Sequence, residues 1–447
     1  MADERVPTFC ALCVSRCGAT AVRRDGAFVA LESDPAHPTG RALCAKGKAA
    51  PEIVSLPSRV LHPLARTRPK GDRDPGWRRI SWDEALSVTA ERLRAVARAH
   101  GPESVVFSSA SPSTSAMSDA IDWLQRLRRA FGSPNLLASM ELCGWGRYLA
   151  SAYTYGAGVP GTYLPDLERA GCILYWGYNP SVARLAHATA TVDALGRGAK
   201  LIVVDPRRVG LARRAHHWLR VRPGTDTALA LSLAGVLIDR GWFDRDFVTR
   251  WTNGPLLVRA DTGRLLRERD LTAGGRDSTF VAWDAGAGVP ALYDAARGEY
   301  DRDVSRLALA GEVTVRTTAG SVECRPAFAV LAEMCRRHDP ARAAATTGVP
   351  AEAIAAAART LWESRPVAFY AWSGVEQHAD ATQIARAIGI LYALTGSLDA
   401  PGGNVLFSSV PANSVAGEHL LSPVQRAKAL GVADRPLGPG RWEFVTS

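Results

Sequence analysis

The residues best suited to chemistry stand at the start of the chain. Cys10, Cys13, Cys17 and Cys44 follow the pattern C-x2-C-x3-C-x26-C. Three cysteines within eight residues let one tight loop aim three thiolates at a common centre, and the distant fourth closes the cage. Thiolates are soft donors that suit zinc or an iron–sulfur cluster. Structural zinc sites usually show paired short spacings, so the three-plus-one arrangement favours a [4Fe–4S] cubane. Lys46 follows Cys44 by two residues. It is either a solvated lysine or a cation lying between the cluster and a second cofactor. Of the other four cysteines, Cys172, Cys324 and Cys335 lie in apolar stretches and read as buried thiols.

The elements that position these residues alternate between strand and helix. AVRRDGAFVALESD reads as a hairpin around Asp25-Gly26, a turn that tolerates positive φ. Ser81 is set to cap a helix with acidic residues in its first turn and apolar residues at helical spacing. SVVFSSAS reads as a strand, and MSDAIDWLQRLRRAFG as an amphipathic helix. Beyond these, GCILYWGYNP, KLIVVDPRR and HWLRVRPGTD read as strands ending in turns, separated by the helices VARLAHATATVDALGRG and TALALSLAGVLIDRG. Buried strands alternating with helices argue for a parallel α/β sheet. Residues 253–325, rich in Gly, Asp and Arg, are expected to form an irregular insert with short strands. Helical patterns then resume, with RPVAFYAWSG as the strand between the last two, and loops are expected after Pro401.

The composition bounds the class. A chain of 447 residues with 47% apolar and 22% charged residues is a folded, multi-domain protein. The net charge of +10 comes mostly from arginine. It fits a solvated basic surface, or arginines drawn inward by a phosphate-bearing cofactor or anionic substrate. No motif of a nucleic-acid groove accompanies it. No apolar run approaches a membrane span, so direct membrane insertion is not expected. The start has no secretory or twin-arginine pattern, which gives a cytoplasmic expectation. Eight cysteines in a reducing compartment are not expected to form disulfides.

The ordered motifs FCALCVSRCG, LCAKG, WRRISWDEAL, ILYWGYNPSVA, LIVVDPRR, RPGTDTALALSLAGVLI and GVEQHADATQIARAIGILYALTGSLDAPGGN resemble the molybdopterin oxidoreductases of the dimethyl sulfoxide reductase family. The likeness runs along essentially the whole chain. It implies a multi-domain α/β fold with Rossmann-like parallel-sheet domains and a small N-terminal iron–sulfur domain. The expected boundaries are 1–60 for the [4Fe–4S] domain, 61–130 plus 342–447 for one α/β domain, and 131–341 for the domain carrying the metal ligand. The implied cofactors are the [4Fe–4S] cluster and molybdenum, or tungsten, held by two molybdopterin guanine dinucleotides.

The resemblance also implies roles for individual residues. Cys143, after the second helix and beside a glycine-rich loop, stands where the family places its metal-ligating side chain. Gly177 and Asn179, Asp205 and Arg207, and Gly224 and Asp226 lie in three strand-end turns that would hold the dinucleotides. Asp205 would bond a guanine or ribose edge, and Asp226 would accept from guanine N–H donors. Gly374, Glu376, Gln377 and His378 would approach the second pterin, His378 as a catalytic-site residue. Lys46 would carry electrons between pterin and cluster.

The implied activity is oxo transfer or hydride abstraction on a small substrate, with electrons leaving through the cluster to a ferredoxin-like partner protein. The competing readings are a non-redox hydratase and a non-catalytic subunit for electron transfer or scaffolding. Gly144 and Trp145 after Cys143, where formate dehydrogenases commonly have histidine, lower the formate reading. Family members usually continue into a C-terminal β-barrel domain that covers the dinucleotides. No such domain is expected here, and an isolated chain of this length is expected to hold little molybdenum.

Overall fold

The first unit of the fold is built on the cysteine segment. A computed structural model describes residues 3–109, 116–138, 143–155, 163–406 and 415–429. By contacts the chain divides into two units, Met1–Glu141 with Val410–Ser447, and Leu142–Ser409. In the first, β1 (Glu4–Phe9), β2 (Gly18–Arg24) and β3 (Ala27–Ser33) form an antiparallel sheet in that order. The β2–β3 turn is the expected Asp25-Gly26 pair, both at positive φ. The short helices α1 (Ala45–Lys48) and α2 (Ala50–Val54) pack on β3. A hairpin of β4 (Leu64–Arg66) and β5 (Trp77–Arg79) leads to α3 (Trp82–His100), whose Ser81 hydroxyl accepts from the Glu84 N–H at 3.0 Å as its sequence signals. Strands β6 (Phe107–Ser109) and β7 (Leu136–Ala138) are parallel, with α4 (Ala116–Phe131) between them in sequence.

The second unit opens with α5 (Trp145–Tyr155) and β8 (Tyr163–Pro165). Its centre is a parallel sheet in which β9 (Cys172–Trp176) and β10 (Lys200–Val204) lead to β11 (His217–Leu219). Between them run α6 (Pro180–Ala183), α7 (Leu185–Gly196) and, after β11, α8 (Asp226–Asp239). The side chains of β9 alternate between two cores. Cys172, Leu174 and Trp176 join the α8 side, while Ile173 and Tyr175 join the other. Both faces are covered, which is why the strand reads as an unbroken apolar run.

After α9 (Arg245–Trp251), the 253–325 insert is more regular than its composition suggests. It forms two three-stranded antiparallel sheets. One has β13 (Thr279–Asp284), β14 (Val289–Asp294) and β15 (Glu299–Tyr300); the other has β16 (Val313–Thr317) and β17 (Gly320–Pro326) with β12 (Leu257–Arg259). Glycines at positive φ allow the turns that composition alone does not reveal, including Gly288, Gly298 and Gly320. The chain then forms α10 (Ala327–Arg336), α11 (Pro340–Thr347) and α12 (Ala351–Glu363). It returns as β18 (Val367–Ala371), α13 (Ala381–Leu394) and β19 (Asn404–Leu406).

Strand β18 lies parallel against β9, giving the sheet order β11-β10-β9-β18. This departs from the expected domain of 61–130 with 342–447. The contacts instead group 342–409 with 142–341, because β18 completes the β9 sheet and α13 packs on both α5 and α8.

The outer edge of β18 is closed by side chains. Asn404 is fully buried. Its Oδ1 accepts from the Phe369 N–H at 2.8 Å and its Nδ2 donates to the Phe369 carbonyl at 2.9 Å. The Val367 N–H donates to Ser397 Oγ at 3.2 Å. These contacts replace the missing neighbour strand and protect the edge. In the same turn, a Cβ on Gly403 would come within 2.1 Å of the Ser397 carbonyl. The Pro401–Asn404 turn therefore works as an edge clamp on the sheet. Asn404→Leu should strip two buried backbone groups of partners and cost about 2–5 kcal/mol. Urea titration measures this, and a loss below about 1 kcal/mol would mean the clamp is dispensable.

Candidate cofactor and active site

The cysteine loop is the β1–β2 connection. The Cys10 N–H donates to the Cys17 carbonyl at 2.8 Å, closing the loop just beyond the Phe9–Gly18 strand pair. Cys10 and Cys17 are buried with Ala19, Leu31 and Leu43. Cys44 is the residue that starts α1. Gly47, which no sequence signal singles out, sits one turn further on. A Cβ there would lie 3.2 Å from Leu43 and 3.5 Å from Cys10 Sγ, which places α1 directly against the loop. Cys13 and Cys44 are half-buried and Lys46 is exposed. Among the described residues no group of three or more His, Cys, Asp or Glu is placed to hold a single metal ion. The four thiols of this loop and the residue before α1 are the soft donor set that a [4Fe–4S] cluster takes.

In the second unit the site forms where the sheet order reverses. Strands β9 and β18 are neighbours, yet the chain leaves them toward opposite sides, and such a crevice at the carboxyl ends of parallel strands is where ligands bind. The turn after β9 begins at Gly177, with φ +56, and the turn after β18 contains Gly374. The Gly374 N–H donates to the Gly177 carbonyl at 3.1 Å. A Cβ on Gly374 would lie 2.6 Å from Gly177 Cα, and one on Gly177 would lie 2.8 Å from Gly374. Two residues predicted from separate motifs thus touch through their backbones.

His378 and Asp226 gather at the same place. The His378 Nε2 lies 3.1 Å from the Gly374 carbonyl. Asp226, at the start of α8, accepts from the Trp176 indole N–H at 2.7 Å. Burial raises its carboxyl pKa, and Trp176, His378 and the Gly224 N–H pull it back. One acceptor expected to face guanine is therefore engaged by the end of β9. Gly224 keeps its left-handed turn at φ +83, and Gln377 is exposed.

Asn179, Asp205 and Arg207 come together in a shallow pocket at the ends of β9 and β10, with Tyr178, Pro180 and Val209. Asp205 Oδ1 accepts from the Arg207 N–H at 2.7 Å, a tight strand-end turn. Asn179 Oδ1 is buried and has no hydrogen-bond partner. An orphaned acceptor in a strand-end cavity is what a dinucleotide's N–H groups would satisfy.

A network with no signature in the sequence centres on Trp372, just past β18. Arg147 lies over its ring at 4.5 Å and Arg184 at 4.9 Å. Tyr370 stacks on Trp372 and meets Tyr178 at 4.6 Å. Arg147 also forms an ion pair with Glu376, whose side chain is only 2% exposed. Burial raises the Glu376 carboxyl pKa and Arg147 draws it down. Arg147 lines a second pocket with Ser151, Tyr155, Tyr370 and Tyr392. Of this group only Glu376 is foreseen by sequence. Neither arginine carries a motif, and only the fold brings them to one ring.

Cys143 is exposed, two residues before α5 and four before Arg147. Helix α5 packs closely on α13, where a Cβ on Gly146 would lie 2.5 Å from that of Ala381. That contact sets Cys143 at the end of α13 that His378 precedes.

The fold is an α/β protein with a parallel sheet whose strand-end turns form a crevice, and a cysteine-loop module at its N-terminus. The family model described as Molybdopterin oxidoreductase matches residues 59–431, and the one described as Molybdopterin oxidoreductase Fe4S4 domain matches residues 3–56. The chain belongs to the molybdopterin oxidoreductases, and its cofactors are a [4Fe–4S] cluster and a molybdopterin.

A sulfite dehydrogenase component from Allochromatium vinosum is 29% identical, over 89% of this chain and 43% of that protein. The alpha component of the perchlorate reductase from Dechloromonas aromatica is 30% identical, over 81% and 41%. Acetylene hydratase from Pelobacter acetylenicus shares the fold, with a TM-score of 0.61, 24% identity, and coverage of 90% of this chain and 44% of that one. The chain spans less than half the length of these relatives. Among the described residues no helix is long and apolar enough to cross a membrane.

Two outcomes follow. Gly374→Ala should force the β9 and β18 turns apart and destabilise by about 1–3 kcal/mol, read as a lower unfolding midpoint. Arg147→Met should leave Glu376 buried without its cation, costing about 3–5 kcal/mol at neutral pH. The raised carboxyl pKa makes the folded state hold its proton more tightly than the unfolded one. Stability is therefore kept at pH below the ordinary glutamate value of 4.5 and is lost as pH rises through the folded value. The defect should shrink on acidification, and a pH-independent loss would remove Glu376 as its cause.

Proposed function

We propose that this chain is the cluster- and pterin-binding part of a molybdenum (or tungsten) oxidoreductase that acts on a small substrate. The observation that carries the reading is the Gly177–Gly374 backbone contact, which gathers Asp226, Glu376 and His378 at one crevice. Cys10, Cys13, Cys17 and Cys44 would hold the cluster. Cys143 would ligate the metal, its thiolate kept deprotonated by the cation beside it.

When bound, the pterin metal supplies the two-electron chemistry, while the protein binds, orients and tunes. Asn179 Oδ1, Asp205 and the Arg207 turn would meet one guanine dinucleotide at the ends of β9 and β10. Gly224 and Asp226 would brace the neighbouring strand end. The Gly374 turn, with Glu376, Gln377 and His378, would bear on the second pterin. The His378 ring stands beside the Gly374 carbonyl and would orient that turn toward the pterin. Lys46 would assist electron passage toward the cysteine loop, and a ferredoxin-like protein would take electrons from it. Both curated relatives are named as components of larger enzymes, which supports membership in such an assembly.

Cys143→Ala in the protein purified with its cofactors should abolish substrate-dependent viologen oxidation or reduction and leave the cluster absorption intact. Activity that survives would remove Cys143 as a ligand. Cys44→Ser should cut reconstituted iron well below the about four atoms per chain that a cubane requires.

A further inference from the structure

Cys17 is gripped from outside its own loop. Residues 34–40, between β3 and α1, carry no cysteine and fold back over the start of β2. The Thr39 hydroxyl donates to the Arg16 carbonyl at 2.6 Å and accepts from the Gly18 N–H at 3.2 Å. One side chain thus holds the backbone on each side of Cys17. The Asp34 N–H donates to the Gly18 carbonyl at 3.2 Å, so both polar groups of Gly18 are engaged by this strap.

The conformation held in this way is a costly one. Arg16 stands at φ +45, in the left-handed region that residues with a side chain seldom take. Such a residue persists only where its surroundings over-determine it, and such positions gather at functional sites. The Thr39 bond to the Arg16 carbonyl is one of those constraints. The strap itself is well fixed. The Thr39 N–H donates to His37 Nδ1 at 3.2 Å, and the Gly40 N–H donates to the His37 carbonyl at 2.8 Å. A Cβ on Gly18 would lie 2.2 Å from His37 Cγ, and one on Gly40 would lie 1.9 Å from the Asp34 carbonyl. Bare backbone at both positions lets the strap lie directly on the residue after Cys17.

We propose that Thr39 is the positioning residue of the cysteine loop: its hydroxyl fixes the direction of the Cys17 thiol group and keeps the Gly18 N–H engaged, and through both it sets the retention and the reduction potential of the cluster. The potential of an iron–sulfur cluster depends on hydrogen bonds to its sulfurs and on solvent exposure. A donor beside a sulfur favours the reduced state, which carries more negative charge. Without the Thr39 oxygen, the Gly18 N–H becomes a free donor one residue from the Cys17 sulfur, and a loosened Arg16 admits water. Both changes move the potential upward. The proposal rests on the reading of Cys17 as a cluster ligand given above.

The test uses the full-length protein purified with its cofactors, as wild type and as Thr39→Val, Thr39→Ser and Cys17→Ser. Valine keeps the shape of threonine and removes the oxygen, while serine keeps the oxygen and removes the methyl group. In Thr39→Val an iron(II) chelator should bleach the cluster absorption roughly tenfold faster than in the wild type, the scale of one or two lost hydrogen bonds. The cluster's midpoint potential, followed by its EPR signal in a redox titration, should move upward. Thr39→Ser should stay close to the wild type in both measurements.

A lower unfolding midpoint in Thr39→Val with the reduction potential unmoved would make Thr39 a strut of the antiparallel sheet and overturn the proposal. A serine variant as impaired as the valine variant would overturn it as well, because the methyl group and not the hydroxyl would then be what matters. That comparison stands by chelation and iron content where the valine variant holds too little cluster to titrate. Cys17→Ser separates the two readings. It should lose iron or change the EPR signal, and an unchanged cluster there would sink the ligand reading of Cys17. A cluster lost in Cys17→Ser but unaltered in Thr39→Val would sink the positioning role alone.

Discussion

Two peptide backbones meeting at Gly177 and Gly374 set the geometry of the second unit's site. At this point strands β9 and β18 end side by side, and no side chain fits between their turns. With Cβ atoms excluded, the carbonyl of one turn receives the N–H of the other, and the crevice floor is peptide rather than side chain. A polar peptide floor suits a large anionic cofactor, because N–H groups can approach oxygens without steric cost. Trp176, which ends β9, reaches Asp226 at the start of α8, and His378 hangs from the Gly374 carbonyl.

The same junction explains the placement of charge. Past β18, the Trp372 ring receives two guanidiniums, and Glu376 balances one of them. Buried ion pairs are poor sources of stability but hold geometry well when their partners are fixed. Arg147 is on α5, Glu376 follows β18, and α5 packs on α13 through Gly146 and Ala381. The pair therefore ties the segment carrying Cys143 to the turn carrying Gly374. Asn404 and Ser397 secure the outside of the same strand, so β18 is held on its free edge as well as at its end.

The cysteine module has a smaller core. A thin sheet offers little apolar surface, and Cys10 and Cys17 are themselves part of what is buried. Gly47 of α1 packs next to Cys10 Sγ, so the helix that follows Cys44 lies against the loop that carries the first cysteine.

Much of this was legible in the sequence because local signals decided it. The three-plus-one cysteine spacing, the Asp25-Gly26 hairpin, the Ser81 cap and the apolar strands β9, β10 and β18 each rest on short-range chemistry. The strand-end residues Gly177, Asn179, Asp205 and Gly374 were singled out by the resemblance to the family rather than by local chemistry alone. The sequence did not join β18 to β9, since the two strands are nearly two hundred residues apart and parallel pairing leaves no local trace. Nor did it bring Arg147 and Arg184 to Trp372. Arginine spacing carries no period, and whether a guanidinium is buried, paired or left alone depends on which strands end beside it. The sequence by itself determined the donor atoms and the turns. The tertiary structure decided which charges face one another, because charge balance in a buried site is a property of neighbours in space.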